Sequence, residues 1–203
     1  VEPLLALDEA RARDPRIAGA KAAGLARARA AGLPVLPGWV VPTSAGAGPL
    51  RAAVTVLERS GPARARLAAA DRSLEPGLAR ALADVGERVG VAIVRSSTTQ
   101  EADPRWSGAF ATYHEIGPSD LATAVRGCWA SSLTRDVLAR AEAMGIGVAH
   151  LRMAVLVQPW IAFDGGGTAA LGEGGTVHIA AVDGSPGALV GGRAGGVVTV
   201  VGA

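Results

Sequence analysis

The chain has no asparagine, one cysteine, one lysine, and aromatic side chains amounting to only 3% of its 203 residues. Each shortage excludes something. Cys128 alone cannot close an internal disulfide, so a secreted disulfide framework is ruled out. No C-x-x-C or H-x-x-x-H spacing occurs, which removes the usual structural zinc sites. No run of about 20 apolar residues is there to span a bilayer. The N-terminal stretch mixes acids with many arginines and has no apolar h-region, so it does not read as a secretory signal. A cytoplasmic protein is expected. With few aromatics, the core must come from Ala, Val, Leu and Ile, within a hydrophobic content of 49%. A chain of this length buries enough surface to fold without staples. Its 28 glycines and 12 prolines predict many turns.

The bases are 19 arginines and one lysine against 18 acids, a net charge of +2. The arginines are interspersed with acids, as in RARDPR and LERSGPARAR, and form no stripe. This pattern fits solvated helix faces and argues against a nucleic-acid partner. Lys21 stands out against the arginine bias. A lysine is a compact, mobile point charge, where arginine is a planar fork. It suits a site needing a small cation near phosphates; chance survival on a helix surface explains it equally.

Along the chain, GAKAAGLARARAA (19–31) predicts a helix ended by Gly32. Trp39–Val41 reads as a short strand, followed by an N-cap at Thr43-Ser44. Helices are expected over Pro49–Ser60, Ala63–Ala70 and Glu75–Val89. VAIVRSS (91–97) reads as a strand buried on both faces. A polar loop follows over 98–108, then a strand over 109–116. Helices at Ser119–Trp129 and Thr134–Met144 each open on a capping residue. MAVLVQPWI (153–161) is a second apolar strand, interrupted by Gln158 and Pro159. Beyond it the chain is Gly-rich with short Val/Ala runs, expected to form three or four strands. The expected organisation is a larger α/β lobe over 1–158 and a small β lobe over 159–203. The last strand, VVTVV, nearly reaches the terminus, as expected where a chain continues in a longer parent.

Nucleophile and phosphate motifs are sparse. There is no G-x-S-x-G, and Ser96-Ser97 lacks the flanking glycines of a nucleophile elbow. His114, His150 and His178 have no nucleophile at motif spacing, and Cys128 sits in an apolar helix stretch. Walker A and Rossmann fingerprints are absent. The glycines of GGRAGG (191–196) are accounted for by turns. What is left is one set of residues: Lys21 after Gly19, Arg95 at the end of a buried strand, Gly108 and Thr112 around the next strand, and Gln158 at the lobe boundary. Lys, Arg and backbone N–H groups make an anion site reasonable, and a Gln amide could meet a base edge.

Those residues lie in three of four blocks: GAKAAGLARARAAGLPVLPGWVVPTSA (19–45), VAIVRSSTTQEADPRWSGAFATY (91–113) and MAVLVQPWI (153–161), the fourth being CWASSLTRD (128–136). Together they resemble the nucleotide-binding domain of the pyruvate phosphate dikinase, phosphoenolpyruvate synthase and rifampin phosphotransferase group. The resemblance implies an α+β, ATP-grasp-like fold, with ATP and Mg²⁺ as cofactors. It implies that Lys21 and Arg95 contact the nucleotide phosphates and act in catalysis. Gly108 and Thr112 would lie in a phosphate-covering loop and Gln158 at the adenine hinge. It also implies transfer of a phosphoryl group from ATP to a histidine on a separate swivelling domain. An acceptor domain, on the same longer chain or another subunit, would pass it to pyruvate or an antibiotic. Some positions depart from the pattern. Ala20 interrupts the G-G-K triplet, Ala102 stands where an Asp is expected, and Ala109 replaces a Gln. HIAAVDGSPGALVGGR (178–193) places Ala180 and Gly187 where acids are expected, so no metal ligand is identified. The second function consistent with the residues is therefore a non-catalytic nucleotide-binding or interaction module.

Overall fold

A computed structural model describes residues 3–184, 187–190 and 195–201. It divides into two compact units, Val1–Trp160 and Ile161–Ala203. The fold is α+β.

The first unit is built on a sheet that is antiparallel throughout. Its strands are β1 (Leu5–Ala6), β2 (Trp39–Val41), β3 (Ala92–Thr98), β4 (Thr112–Ile116) and β5 (Met153–Pro159), in the order β1-β2-β5-β3-β4. Helix α1 (Pro15–Ala30) covers one face. Helices α2 (Thr43–Ala70), α3 (Pro76–Val89), α4 (Leu121–Ser131) and α5 (Arg135–Ala143) contribute to the other side. Alternation along β5 explains its apolar run. Ala154 and Leu156 pack with Ala18, Ala22, Ala23 and Ala26 of α1. Met153, Val155 and Val157 pack with Leu78, Leu82, Leu121 and Trp129. Both faces of the central strands are thus covered, as expected for β3.

Several boundaries differ from the sequence expectations. Helix α1 starts at Pro15, with the Asp14 carboxylate accepting from the Arg16 N–H at 2.9 Å. Gly19 lies inside it in the left-handed region (φ 74, ψ 166), dividing it in two. Thr43 is not an N-cap: Pro42 occupies that place, and the Thr43 hydroxyl donates to the Arg16 carbonyl at 2.8 Å. The two expected helices after Pro49 form one element broken at Gly61 (φ 78). Glu75 caps α3 through the Leu78 N–H (3.1 Å), and Thr134 caps α5 through the Val137 N–H (3.3 Å). Ser119 caps nothing: it belongs to a short 3-10 turn, Pro118–Asp120, that leads into α4. The 98–108 stretch is anchored. Trp106 is 1% exposed and stacks on Phe110 with ring centroids 5.5 Å apart, so β4 starts only at Thr112.

The break at Gly19 is sealed by one side chain. In an unbroken helix the Ala22 N–H would donate to the Ala18 carbonyl. Here the buried Ser97 hydroxyl stands between them, accepting from Ala22 N at 3.0 Å and donating to Ala18 O at 2.8 Å. A Cβ at Gly19 would overlap the Ser97 carbonyl and hydroxyl. Only glycine meets both demands, the positive φ and the close approach.

The second unit is a three-stranded antiparallel sheet of β6 (Gly165–Leu171), β7 (Val177–Asp183) and β8 (Val197–Val201), with the short helix α6 (Gly187–Val190) between β7 and β8. Residues 191–194 of the GGRAGG stretch lie outside the described residues, as do Ser185 and Pro186 of the 178–193 segment.

Ser97→Ala should lower the unfolding free energy by about 1–3 kcal/mol, because it orphans a buried N–H and a buried carbonyl together. Gly19→Ala should cost more, since it adds strain and overlap to the same point. Urea denaturation of both variants checks the order. A Gly19→Ala protein as stable as wild type contradicts this account of the break.

Candidate functional site

Lys21 sits just after the break, two residues past Gly19, at the start of the longer part of α1. Its ammonium donates to the Ser96 carbonyl at 2.6 Å and to Glu101 Oε1 at 2.8 Å. An ammonium has three N–H groups, so one is left over. The Lys21 side chain is 24% exposed and that of Glu101 14%.

Glu101 was not among the residues singled out from the sequence. Its signal is the spacing T-x-x-E over Thr98–Glu101, the pattern of a capping box. The reciprocal bonds are present: Thr98 N–H donates to Glu101 Oε2 at 3.0 Å, and Glu101 N–H donates to the Thr98 hydroxyl at 3.3 Å. The carboxylate is thus fixed by the end of β3, with its other oxygen turned to Lys21.

Register gathers the remaining candidates. Arg95 lies opposite Thr112 of β4 and opposite Leu156 of β5, and Ile93 lies opposite Gln158. Directly paired residues share a face. Arg95, Thr112 and Gln158 therefore occupy the face that α1 covers. Gln158 lies two residues further along β5 than Leu156, or about 7 Å from that row. Gly108 (φ 68) is exposed between the anchored Trp106 and Phe110, and a Cβ there would meet nothing.

The electrostatics are uneven. Among the described residues the ion pairs are Asp14–Arg16, Lys21–Glu101 and Asp103–Arg105. Arg95 belongs to none of them. Burial lowers its pKa from the ordinary value, and the charge of Glu101 acts in the opposite direction. It stays cationic, since arginine does not deprotonate in proteins. Glu101 is paired with Lys21, and its charge also acts on Arg95. Gln158 is 5% exposed, and its amide nitrogen is turned to the Leu36 and Pro37 carbonyls at 3.2 and 3.5 Å. The amide donor is engaged within the protein.

Ala180 is a mid-strand residue of β7 opposite Thr168, and Gly187 opens α6. Neither offers a side-chain oxygen to a cation, and no group of three or more His, Cys, Asp or Glu among the described residues could hold a metal. A cavity of about 290 Å³ between α2 and residues 148–152 is lined by none of the five candidates. Among the described residues, no helix is long and apolar enough to cross a membrane.

The arrangement defines an α+β domain with a cationic site at a helix break against a sheet. Its family is identified by comparison: residues 66–196 match the family model described as pyruvate phosphate dikinase, AMP/ATP-binding domain. The match covers more than half of the chain, and the protein belongs to that family. It is a nucleotide-binding domain by this membership. Arg95, Glu101, Gly108, Thr112 and Gln158 fall inside the matched span, and Lys21 lies before it. No curated protein matches the chain.

Cys128 lies on α4, away from the face that carries the candidates, and burial pushes its thiol from 9.0 up to about 12. Its folded pKa is raised, so its contribution to stability is complete below pH 9.0 and is lost as pH rises towards about 12. Urea midpoints measured through that window should fall more steeply for wild type than for Cys128→Ala. Parallel curves would show that the thiol does not titrate as its burial demands.

Proposed function

We propose that this chain is the ATP-binding portion of a dikinase-like phosphotransferase with an ATP-grasp-like fold. The observation that carries the reading is Arg95, a half-buried guanidinium with no ion-pair partner among the described residues, on the sheet face covered by the helix that carries Lys21. A partly buried guanidinium without a counter-charge is costly unless a ligand supplies one. A nucleotide's phosphate chain would supply it to Arg95 and take the remaining N–H of Lys21.

Lys21 would give its spare N–H to a terminal phosphate oxygen, and Arg95 would pair bidentately with the phosphates. The Gly108 loop, held at Trp106 and Phe110, would bring backbone N–H groups over the phosphates, with Thr112 at its base. Gln158, its nitrogen fixed by Leu36 and Pro37, would keep its oxygen for the exocyclic amine of adenine. Phosphoryl transfer depends mainly on positioning and charge neutralisation, and these residues supply both to the ground state. The receiving group would be a histidine of a separate swivelling domain, with a further acceptor domain beyond it. No step is assigned to Mg²⁺, because Ala180 and Gly187 offer it no ligand.

Those two positions favour a second reading, a domain that binds nucleotide without turning it over. The readings separate on turnover of ATP with Mg²⁺ and a histidine-bearing partner domain.

Calorimetric titration with ATP tests the shared claim. Lys21→Ala and Arg95→Ala should each weaken binding about tenfold or more, the scale of a hydrogen bond to a charged group. A folded wild-type protein that binds neither ATP nor ADP would overturn the reading.

A further inference from the structure

The site contains its own anion. Glu101 is no surface carboxylate that happens to meet a lysine: it is 14% exposed, pinned through Oε2 to the Thr98 N–H, and 2.8 Å from the Lys21 ammonium through Oε1. It also acts on Arg95. With Glu101 ionised, the two cations present a net charge of +1. Without it they would present +2. Every phosphate brought to this face meets the carboxylate as well as the cations.

We propose that Glu101 is a built-in counter-charge that limits the affinity of the site for polyphosphate ligands and sets how steeply affinity rises with phosphate number. The proposal rests on the nucleotide reading for its natural ligand. The physics is Coulombic. A fixed carboxylate oriented towards the lysine neutralises part of its field, and repels a ligand in proportion to the charge it brings. Because the capping box holds Glu101 from behind, the carboxylate does not leave when Lys21 turns to a phosphate. Its opposition persists in the bound state. Adenosine, which is uncharged, is indifferent to it.

Glu101→Gln isolates the charge. Glutamine at this position still closes the capping box through its carbonyl oxygen; its amide nitrogen then stands where Oε1 was and accepts nothing from Lys21, which keeps its bond to the Ser96 carbonyl. Glu101→Asp retains the charge while shortening the side chain. Titrations use ATP, AMP, adenosine and inorganic tripolyphosphate, with thermal unfolding confirming that the variants remain folded. Glu101→Gln should bind ATP and tripolyphosphate about five- to tenfold more tightly, the scale of a partly buried charge interaction. The gain should be smaller for AMP and absent for adenosine. Glu101→Asp should show no gain.

ATP binding equal to or weaker than wild type in folded Glu101→Gln overturns the proposal and leaves the nucleotide reading intact. Equal gains in Glu101→Gln and Glu101→Asp also overturn it, since the effect would then follow from altered packing. Tripolyphosphate binding that tightens in Glu101→Gln while neither protein takes ATP overturns the nucleotide reading and supports the counter-charge. Absence of all polyphosphate binding in both proteins overturns both.

Discussion

The first unit hinges on the Ser97 hydroxyl inserted into the broken first helix. One side chain completes the hydrogen bonds of both helix segments and ties them to the sheet's central region. The next residues on each side carry the chemistry. Lys21 is two residues past Gly19, and the carbonyl it binds belongs to Ser96, immediately before Ser97. The lysine is therefore placed by backbone. Its position follows from where the helix restarts and from which strand residue seals the restart. A helix running straight through Gly19 would bring different residues of α1 to the end of β3.

The composition makes such closeness possible. The buried side of α1 consists of Ala18, Gly19, Ala22, Ala23 and Ala26, with no large residue among them. A serine hydroxyl is short, and it bridges helix and strand only when their backbones lie close together. Larger apolar residues would bury more area but would hold the helix off the sheet and break the bridge. Bulk is supplied on the opposite face, by Trp106, Trp129, Leu82 and Leu121. The helix meets the sheet through small residues of its own, with Leu5, Leu7 and Leu156 beside them, while the aromatic bulk fills the other face. This division explains how a chain so poor in aromatics still closes a core.

What the sequence makes legible follows local chemistry. The Trp39–Val41 strand, the α3 helix after Glu75, and the Thr134 cap are each specified within a few residues, and each lies where its spacing predicts. The start of α1 was less legible. Gly19 reads as a boundary because glycine commonly ends helices, whereas tertiary contact with Ser97 makes it an interior break. Thr43 and Ser119 have the chemistry of caps, but the Thr43 hydroxyl is drawn to a distant carbonyl of α1, and Pro118 opens a 3-10 turn around Ser119. The candidates Arg95, Thr112 and Gln158 could be named one by one from sequence. Their common face could not, because antiparallel register between distant strands decides it. Glu101 was visible as a turn signal in Thr98–Glu101. Its partnership with Lys21 spans 80 residues of sequence and has no local signature.

Binding and turnover make different demands on such a site. Holding a phosphate chain, as proposed for Lys21 and Arg95, requires cations and N–H donors in place before the ligand arrives, and both residues sit where α1 meets the sheet. Turnover requires charge stabilisation that is stronger in the transition state than in the ground state. In phosphoryl transfer that surplus commonly comes from a metal bridging the phosphates. Ala180 and Gly187, where the family resemblance leads one to expect acids, lie in the second unit and carry no side-chain oxygen. An arginine in place of Lys21 would preserve the charge but not the arrangement. The ammonium divides its donors between a backbone carbonyl and a carboxylate that lie in different directions, where a planar guanidinium would direct paired donors towards one partner. In a chain that otherwise uses arginine for every basic residue, this geometry is a physical reason for one lysine to remain.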